Sequence, residues 1–182
     1  MREKNVMIAV LNETGNESEV IRQTLEYFGF ITVVRYIGRP DDFISLLADK
    51  SDDFRYKYLI ICCHGDNGNF VMPQLSPEIY SEGEPRGNFT PEIISKIIRL
   101  ENKTVISSGC TTGNEKTASV FSENNLYIAP TGYIDGKSAV FFIVRFFYML
   151  AKKGCSPEKA FRAARNTDSE TKLFVFRGVG SV

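Results

Sequence analysis

The sequence predicts an α/β fold: a doubly wound, mostly parallel six-stranded sheet with helices on both faces. Two observations support this prediction. Runs of consecutive apolar residues, typical of strands buried on both faces, alternate along the chain with segments whose apolar residues recur at helical spacing. No linker, internal repeat or low-complexity segment interrupts the alternation, so we expect residues 1–182 to form one domain.

The six predicted strands consist of apolar, often β-branched residues, which favour an extended backbone. They cover residues 5–11, 31–37, 58–63, 103–107, 126–130 and 173–176. After the third strand, residues 65–88 are rich in glycine, proline, asparagine and acidic residues. We expect this stretch to be a long loop that contains a hairpin, and long loops within one domain are commonly functional.

The predicted helices begin at residues that cap helices or favour their first turn. Asn16 or Ser18 can cap a helix over residues 17–28, and Gly29 suits the position after its last turn. Pro40 and the acidic residues after it open the next helix. Further helices are predicted over residues 92–100, over 115–122, from the cap at 135–138 to 152, and from 156–158 to 165.

The composition argues against several classes of protein. The 22 lysines and arginines balance the 22 acidic residues, so the chain lacks the basic excess of a protein that binds nucleic acid or anionic membranes. No stretch reaches the roughly 18 apolar residues of a membrane span, and the first residues do not resemble a signal peptide. The four cysteines, two adjacent and two scattered, make a poor disulfide framework. We therefore expect a cytoplasmic protein with reduced thiols.

Two reactive side chains follow directly on predicted strands. His64, the only histidine, comes after the strand 58–63, and Cys110 comes after the strand 103–107. Only one predicted helix separates these strands, so a right-handed crossover makes them close neighbours in the sheet. Because ligands of such sheets bind at the carboxyl ends of the strands, we expect both side chains at one functional edge.

A cysteine beside a histidine supplies a nucleophile and its general base. Gly65 and Gly109, which flank the pair, allow the backbone to approach a substrate closely. Backbone N–H groups at such strand ends can stabilise an oxyanion, and the predicted helix after Asn114 directs its positive end toward Cys110.

These residues resemble the His-Gly and Ser-x-Cys-x-x-Gly pair of the caspase-like cysteine peptidases, the clan of caspases, gingipains, separases, legumains and bacterial CHAT domains. Here the two motifs read His64-Gly65 and, from 108 to 113, Ser-Gly-Cys-Thr-Thr-Gly. The stretch after the cysteine is most similar to CHAT and gingipain-type domains, including a Gly-x-Ser-Pro-x-x-Ala-x-x-x-Ala segment from 154 to 164. The likeness covers roughly residues 58–166.

The resemblance implies a caspase-like fold and a cysteine endopeptidase that acts through a thioester. It implies that Cys110 is the nucleophile, that His64 is the acid or base, and that the backbone N–H groups of Gly65 and Cys110 form the oxyanion hole. No metal or organic cofactor is implied. Glu13 and Asp135 lie on loops expected to border the same edge, where either can recognise a basic substrate side chain at P1, the residue whose carbonyl is attacked.

The expected partners are a protein or peptide substrate, with no nucleic acid and no membrane. Relatives are usually controlled by larger flanking domains, so a separate regulatory protein is also expected. Two other functions stay open. One is a non-catalytic interaction module with the same fold, and the other is a flavodoxin-like or receiver-like domain that uses the polar residues 12–16. Cys62 and Cys63 lie within an apolar strand and are expected to pack in the core.

Overall fold

A six-stranded sheet lies at the centre of the molecule. The computed structural model describes residues 4–50 and 54–178. Its strands are β1 (Asn5–Leu11), β2 (Ile31–Ile37), β3 (Tyr58–Cys62), β4 (Gly65–Asp66), β5 (Asn69–Phe70), β6 (Thr104–Ser107), β7 (Leu126–Pro130) and β8 (Phe174–Arg177). The main sheet has the order β2-β1-β3-β6-β7-β8, and β4 and β5 form the hairpin expected in the long loop.

Five of the six strands are parallel, and β8 pairs antiparallel with β7 at one edge. This arrangement confirms the predicted fold class. The helices are α1 (Glu17–Tyr27), α2 (Pro40–Leu47), α3 (Pro91–Ile97), α4 (Glu115–Ser122), α5 (Gly136–Lys153) and α6 (Pro157–Arg165). Within the described residues, no helix is sufficiently long and apolar to cross a membrane.

Alternate residues of each central strand face opposite layers of helices. In β1, Val6 and Ile8 belong to the core beneath α1, α5 and α6, whereas Met7 and Ala9 belong to the core beneath α2, α3 and α4. Both faces are therefore apolar, which explains why the central strands are continuous apolar runs. On α5, most of the aromatic residues lie in the first of these cores, where Phe142 stacks on Phe174 with ring centroids 3.8 Å apart.

Helix α3 ends earlier than the apolar pattern predicts. The expected helix runs to residue 100, but α3 stops at Ile97 and Ile98 is extended. The Arg99 N–H donates to the carbonyl oxygen of Leu47 at 2.8 Å, so a contact with the end of α2 replaces the next helical hydrogen bond. A tertiary contact of this kind leaves no local signal in the sequence.

The loop after β5 is fastened to α2 by a buried carboxylate. Glu84 is paired with the Arg39 guanidinium at 2.7 Å and accepts hydrogen bonds from the backbone N–H groups of Asp41 and Ser81. Hydrogen bonding from Arg39, with these N–H groups, lowers the pKa of Glu84 to about 2. These contacts therefore fix the conformation of the long loop beside α2.

Candidate active site

The strands that precede His64 and Cys110 are neighbours in the sheet. Strands β3 and β6 pair in parallel, with Ile61 opposite Ser107. The segments that follow these two strands therefore leave the sheet at the same end, where the carboxyl ends of the parallel strands lie. His64 is exposed and Cys110 is half-buried, so solvent reaches both side chains.

Two glycines let the His-Gly and Gly-Cys segments pack backbone against backbone. A Cβ atom added to Gly65 would overlap the carbonyl oxygen of Cys110 and would lie 2.9 Å from the carbonyl carbon of Gly109. A Cβ atom added to Gly109 would lie 2.7 Å from the Cys63 sulfur. Such distances exclude a side chain at either position, so the glycines are needed for this close approach.

His64 and Cys110 line the same cleft, which has a volume of about 430 Å³. The turn between β1 and α1 forms one wall through Glu13, Thr14 and Glu17. Ile134, in the loop between β7 and α5, contributes to another wall. The cleft therefore lies at the carboxyl ends of four parallel strands, where the fold class places ligands.

A backbone carbonyl holds the His64 ring in place. The Nε2 atom lies 2.7 Å from the carbonyl oxygen of Glu13. A carbonyl oxygen only accepts hydrogen bonds, so this contact requires a proton on Nε2. In the neutral ring, Nδ1 is then the atom with the free lone pair, which is the state needed in a general base.

The Cys110 sulfur rests against the backbone of Ile134. The Ile134 N–H donates to the sulfur at 3.5 Å, and the thiol lies 3.6 Å from the Ile134 carbonyl oxygen. A backbone N–H directed at the sulfur stabilises negative charge on it. The loop between β7 and α5 thus positions the sulfur.

The turn after Cys110 has an unusual backbone conformation. Thr111 has a φ of 62°, in the left-handed region that β-branched residues rarely adopt. Its hydroxyl accepts a hydrogen bond from the Gly68 N–H at 2.9 Å, and its own N–H donates to the Gly132 carbonyl at 3.1 Å. Within the described part of the chain, the Cys110 N–H has no acceptor. It is therefore available to a ligand.

The two acidic residues expected to bind substrate occupy different places. Glu13 borders the cleft, but it is exposed and its backbone carbonyl holds His64. Asp135 caps α5 by accepting a hydrogen bond from the Lys137 N–H at 2.8 Å. It lines the neighbouring groove between α1 and α5 instead of the cleft. The structure thus brings Glu13, but not Asp135, into the cleft that His64 and Cys110 line.

Glu17 is a cleft residue that the sequence reasoning missed. Burial raises the pKa of its carboxyl group, whereas Ser108, Cys62 and the charge of His64 act in the opposite direction. Its Oε1 atom is buried and has no hydrogen-bond partner within the described ranges. An acidic residue in the first turn of a helix is common, so no sequence signal distinguishes Glu17.

The remaining cysteines do not belong to the reactive pair. Burial raises the pKa of Cys63 to about 12, and it also raises the pKa of Cys62. All four cysteines are free thiols. Across residues 4–50 and 54–178, no group of three or more histidine, cysteine or acidic side chains is arranged to hold a metal ion.

Comparison with known proteins bears on the fold. No family model matches this sequence, and no curated protein does. Among solved structures, the chain is similar to caspase-1 from Spodoptera frugiperda, with a TM-score of 0.56 and 11% identity, over 97% of this chain and 87% of that one. The fold is caspase-like. The chain is also similar to drICE, with a TM-score of 0.49 and 10% identity, over 97% of this chain and 90% of that one. At 11% identity, the comparison with caspase-1 establishes the fold alone.

Proposed function

We propose that this protein is a cysteine endopeptidase in which Cys110 is the nucleophile and His64 is the acid–base residue. The observation that carries the proposal is the contact between the Gly65 and Gly109 backbones, which brings both side chains into one cleft. A nucleophile and a base oriented by a third group are the essential parts of such a site, and the Glu13 carbonyl orients His64.

The proposed reaction uses these residues in the following order. The Cys110 thiol gives its proton to His64, and the sulfur attacks the peptide carbonyl to form a tetrahedral oxyanion. The free N–H of Cys110, together with that of Gly65, stabilises the oxyanion. His64 then protonates the leaving amine, which leaves a thioester on Cys110. Water, deprotonated by His64, hydrolyses the thioester and restores the thiol.

Labelling with peptidyl acyloxymethyl ketones, followed by mass spectrometry of the intact protein and its peptides, tests this proposal. We expect one adduct, on Cys110, and its loss in Cys110→Ala. Labelling should slow by about 100-fold or more in His64→Ala, in line with the usual contribution of a positioned base. Cys155→Ala is the matched control, because Cys155 is also half-buried but lies outside the cleft. Labelling at another cysteine, or at an unchanged rate in His64→Ala, would contradict the proposal.

A non-catalytic interaction module with the same fold is the second candidate. The observation that favours it is an open apolar groove of about 670 Å³ between α1 and α5, bordered by the exposed side chains of Val20 and Phe141. A protein with this second function would show no labelling at Cys110 and no cleavage of any peptide. Closeness to CHAT and gingipain-type domains, in contrast to the caspase-like fold itself, stays a sequence prediction.

A further inference from the structure

The cleft contains two buried acceptor atoms that the described chain leaves without a hydrogen bond. They are Oε1 of Glu17 and Oγ1 of Thr14, and both residues line the cleft together with Cys110 and His64. Buried polar atoms are nearly always paired in folded proteins. Two unpaired acceptors beside a reactive pair therefore point to a ligand that donates hydrogen bonds.

The charge of His64 acts to lower the pKa of Glu17, but among the described residues the Glu17 carboxylate lacks a lysine or arginine partner. Within the part of the chain that the structure describes, no lysine or arginine forms an ion pair with it. Lys137, which lies near Glu17 in the adjoining groove, is highly exposed and its ammonium group is 3.9 Å from Asp135. Burying a carboxylate without a cation reduces stability. The required charge is therefore expected to come from the ligand.

We propose that Glu17 determines the specificity of this site by binding a lysine or arginine side chain at P1 of the substrate. This inference rests on the proposed peptidase function. Ammonium and guanidinium groups are cationic and only donate hydrogen bonds, so they match the Glu17 carboxylate and the Thr14 hydroxyl. An arginine can bind the carboxylate through two parallel hydrogen bonds.

The walls around Glu17 also suit a long side chain with an apolar stem. Gly15 and Gly136 line the cleft beside Glu17, so no side chains occupy these two positions. Thr14, Glu17 and Gly136 line both the cleft and the apolar groove, so the two lie side by side at Glu17. Lysine and arginine place an apolar stem against such walls and keep the charged end at a polar partner.

Glu17 is better placed for this role than Glu13 or Asp135. Glu13 is exposed, and ion pairs in contact with solvent contribute little because water screens them. Asp135 is held by the start of α5 and lies outside the cleft. Glu17 is more strongly desolvated, so a cation bound there gains more from the contact, and a neutral P1 residue leaves the carboxylate unpaired.

Cleavage of peptides that differ only at P1 tests this inference. For the unmodified protein, we expect kcat/KM for arginine or lysine to exceed that for glutamine by at least about 100-fold, which is below the roughly 10⁴-fold discrimination that a site built to hydrogen-bond a substrate group can reach. Glu17→Gln should reduce this preference by at least tenfold. It should lower kcat/KM for the basic peptides and raise it for the glutamine peptide, because a neutral P1 residue then no longer leaves a carboxylate unpaired. Thr14→Val should reduce the preference to a smaller extent.

The matched control is Glu19→Gln, which removes the same charge from the same helix. Glu19 pairs with Arg22 outside the cleft, so its substitution should leave the P1 preference unchanged. Glu13→Gln tests the expectation from the sequence that Glu13 recognises a basic side chain at P1. The inference is overturned if Glu17→Gln keeps the preference for basic residues, or if the unmodified protein prefers aspartate or glutamine at P1.

Binding of p-aminobenzamidine, followed by fluorescence and by thermal unfolding, separates this inference from the proposed function. The probe is cationic and needs no catalysis. We expect it to bind the unmodified protein and Glu19→Gln, and to bind Glu17→Gln at least tenfold more weakly. Equal binding to all three proteins overturns the role of Glu17, even if peptides are cleaved. Binding that depends on Glu17, without any labelling of Cys110, supports the cation site and refutes the peptidase.

Discussion

Replacing Gly65 with alanine should separate His64 from Cys110. The new Cβ would overlap the Cys110 carbonyl oxygen, and it would lie 2.8 Å from Cγ2 of Thr112 and 2.9 Å from the carbonyl carbon of Gly109. Carbon atoms in comfortable contact are about 3.5–4.0 Å apart. The backbone around Gly65 must therefore retreat from Cys110 by roughly 1 Å, because two of the three obstructing atoms belong to the main chain.

This displacement affects both stability and activity. Overpacking of a well-packed interior typically costs about 1–3 kcal/mol, so Gly65→Ala should lower the free energy of unfolding by that amount. A misplacement of about 1 Å between reacting groups can reduce the rate by about 100-fold. We therefore expect labelling of Cys110 by a peptidyl ketone to slow by about 100-fold, although both reactive side chains are still present.

Urea unfolding and the rate of Cys110 labelling measure the two effects on the same preparation. Gly38→Ala is the control, because a Cβ at Gly38 meets no atom within 4 Å and its backbone does not have a positive φ. It should leave both quantities unchanged. If Gly65→Ala is as stable and as reactive as the unmodified protein, the close approach of the two glycines does not hold the site together.

Four further predictions concern stability and thiol reactivity. Glu17→Gln should raise the melting temperature at neutral pH. Burial raises the pKa of Glu17, so the folded protein loses stability as the pH rises through that pKa and the carboxyl group ionises. Below about pH 4, where the carboxyl group is protonated in both the folded and the unfolded protein, the variant should no longer be more stable. Because the Glu84 pKa is about 2, its contribution to stability should be lost as the pH falls from about 4.5 toward 2, and urea unfolding of Glu84→Gln should show a flatter acid profile. With its pKa near 12, Cys63 should remain unmodified by iodoacetamide in the folded protein, as judged by mass spectrometry. Phe142→Ala, which removes the stack on Phe174, should cost about 3–5 kcal/mol in urea unfolding.

The architecture could be predicted because both faces of the sheet are covered by helices. Strands β1 and β3 are buried on both sides and appear in the sequence as apolar runs that need no knowledge of the tertiary structure. The start of α3 was also predictable, since Thr90 caps it by accepting a hydrogen bond from the Ile93 N–H. Its end was not, because the contact between Arg99 and Leu47 joins residues that are distant in the sequence.

The candidate reactive pair could be predicted because topology constrains it. A residue that follows a buried strand must lie at one edge of a parallel sheet, so the placement of His64 and Cys110 needed only the strand assignments and the handedness of the crossover. The partners of these residues could not be predicted. The Glu13 and Ile134 backbones reach them through loops whose course depends on the packing of α1 and α5.

Glu17 is the clearest example of a cleft residue that only the three-dimensional structure identifies. In the sequence it is equivalent to Glu19, since both are acidic residues in the first turn of α1, where the helix dipole favours them. In the structure, Glu19 pairs with Arg22 near solvent. Glu17 lines the cleft, and within the described residues its buried Oε1 atom has no hydrogen-bond partner and no lysine or arginine pairs with it. A glutamine at this position would avoid the cost of burying the charge and would still begin the helix. The stability of the fold therefore does not explain the carboxylate, and the proposed basic P1 side chain would.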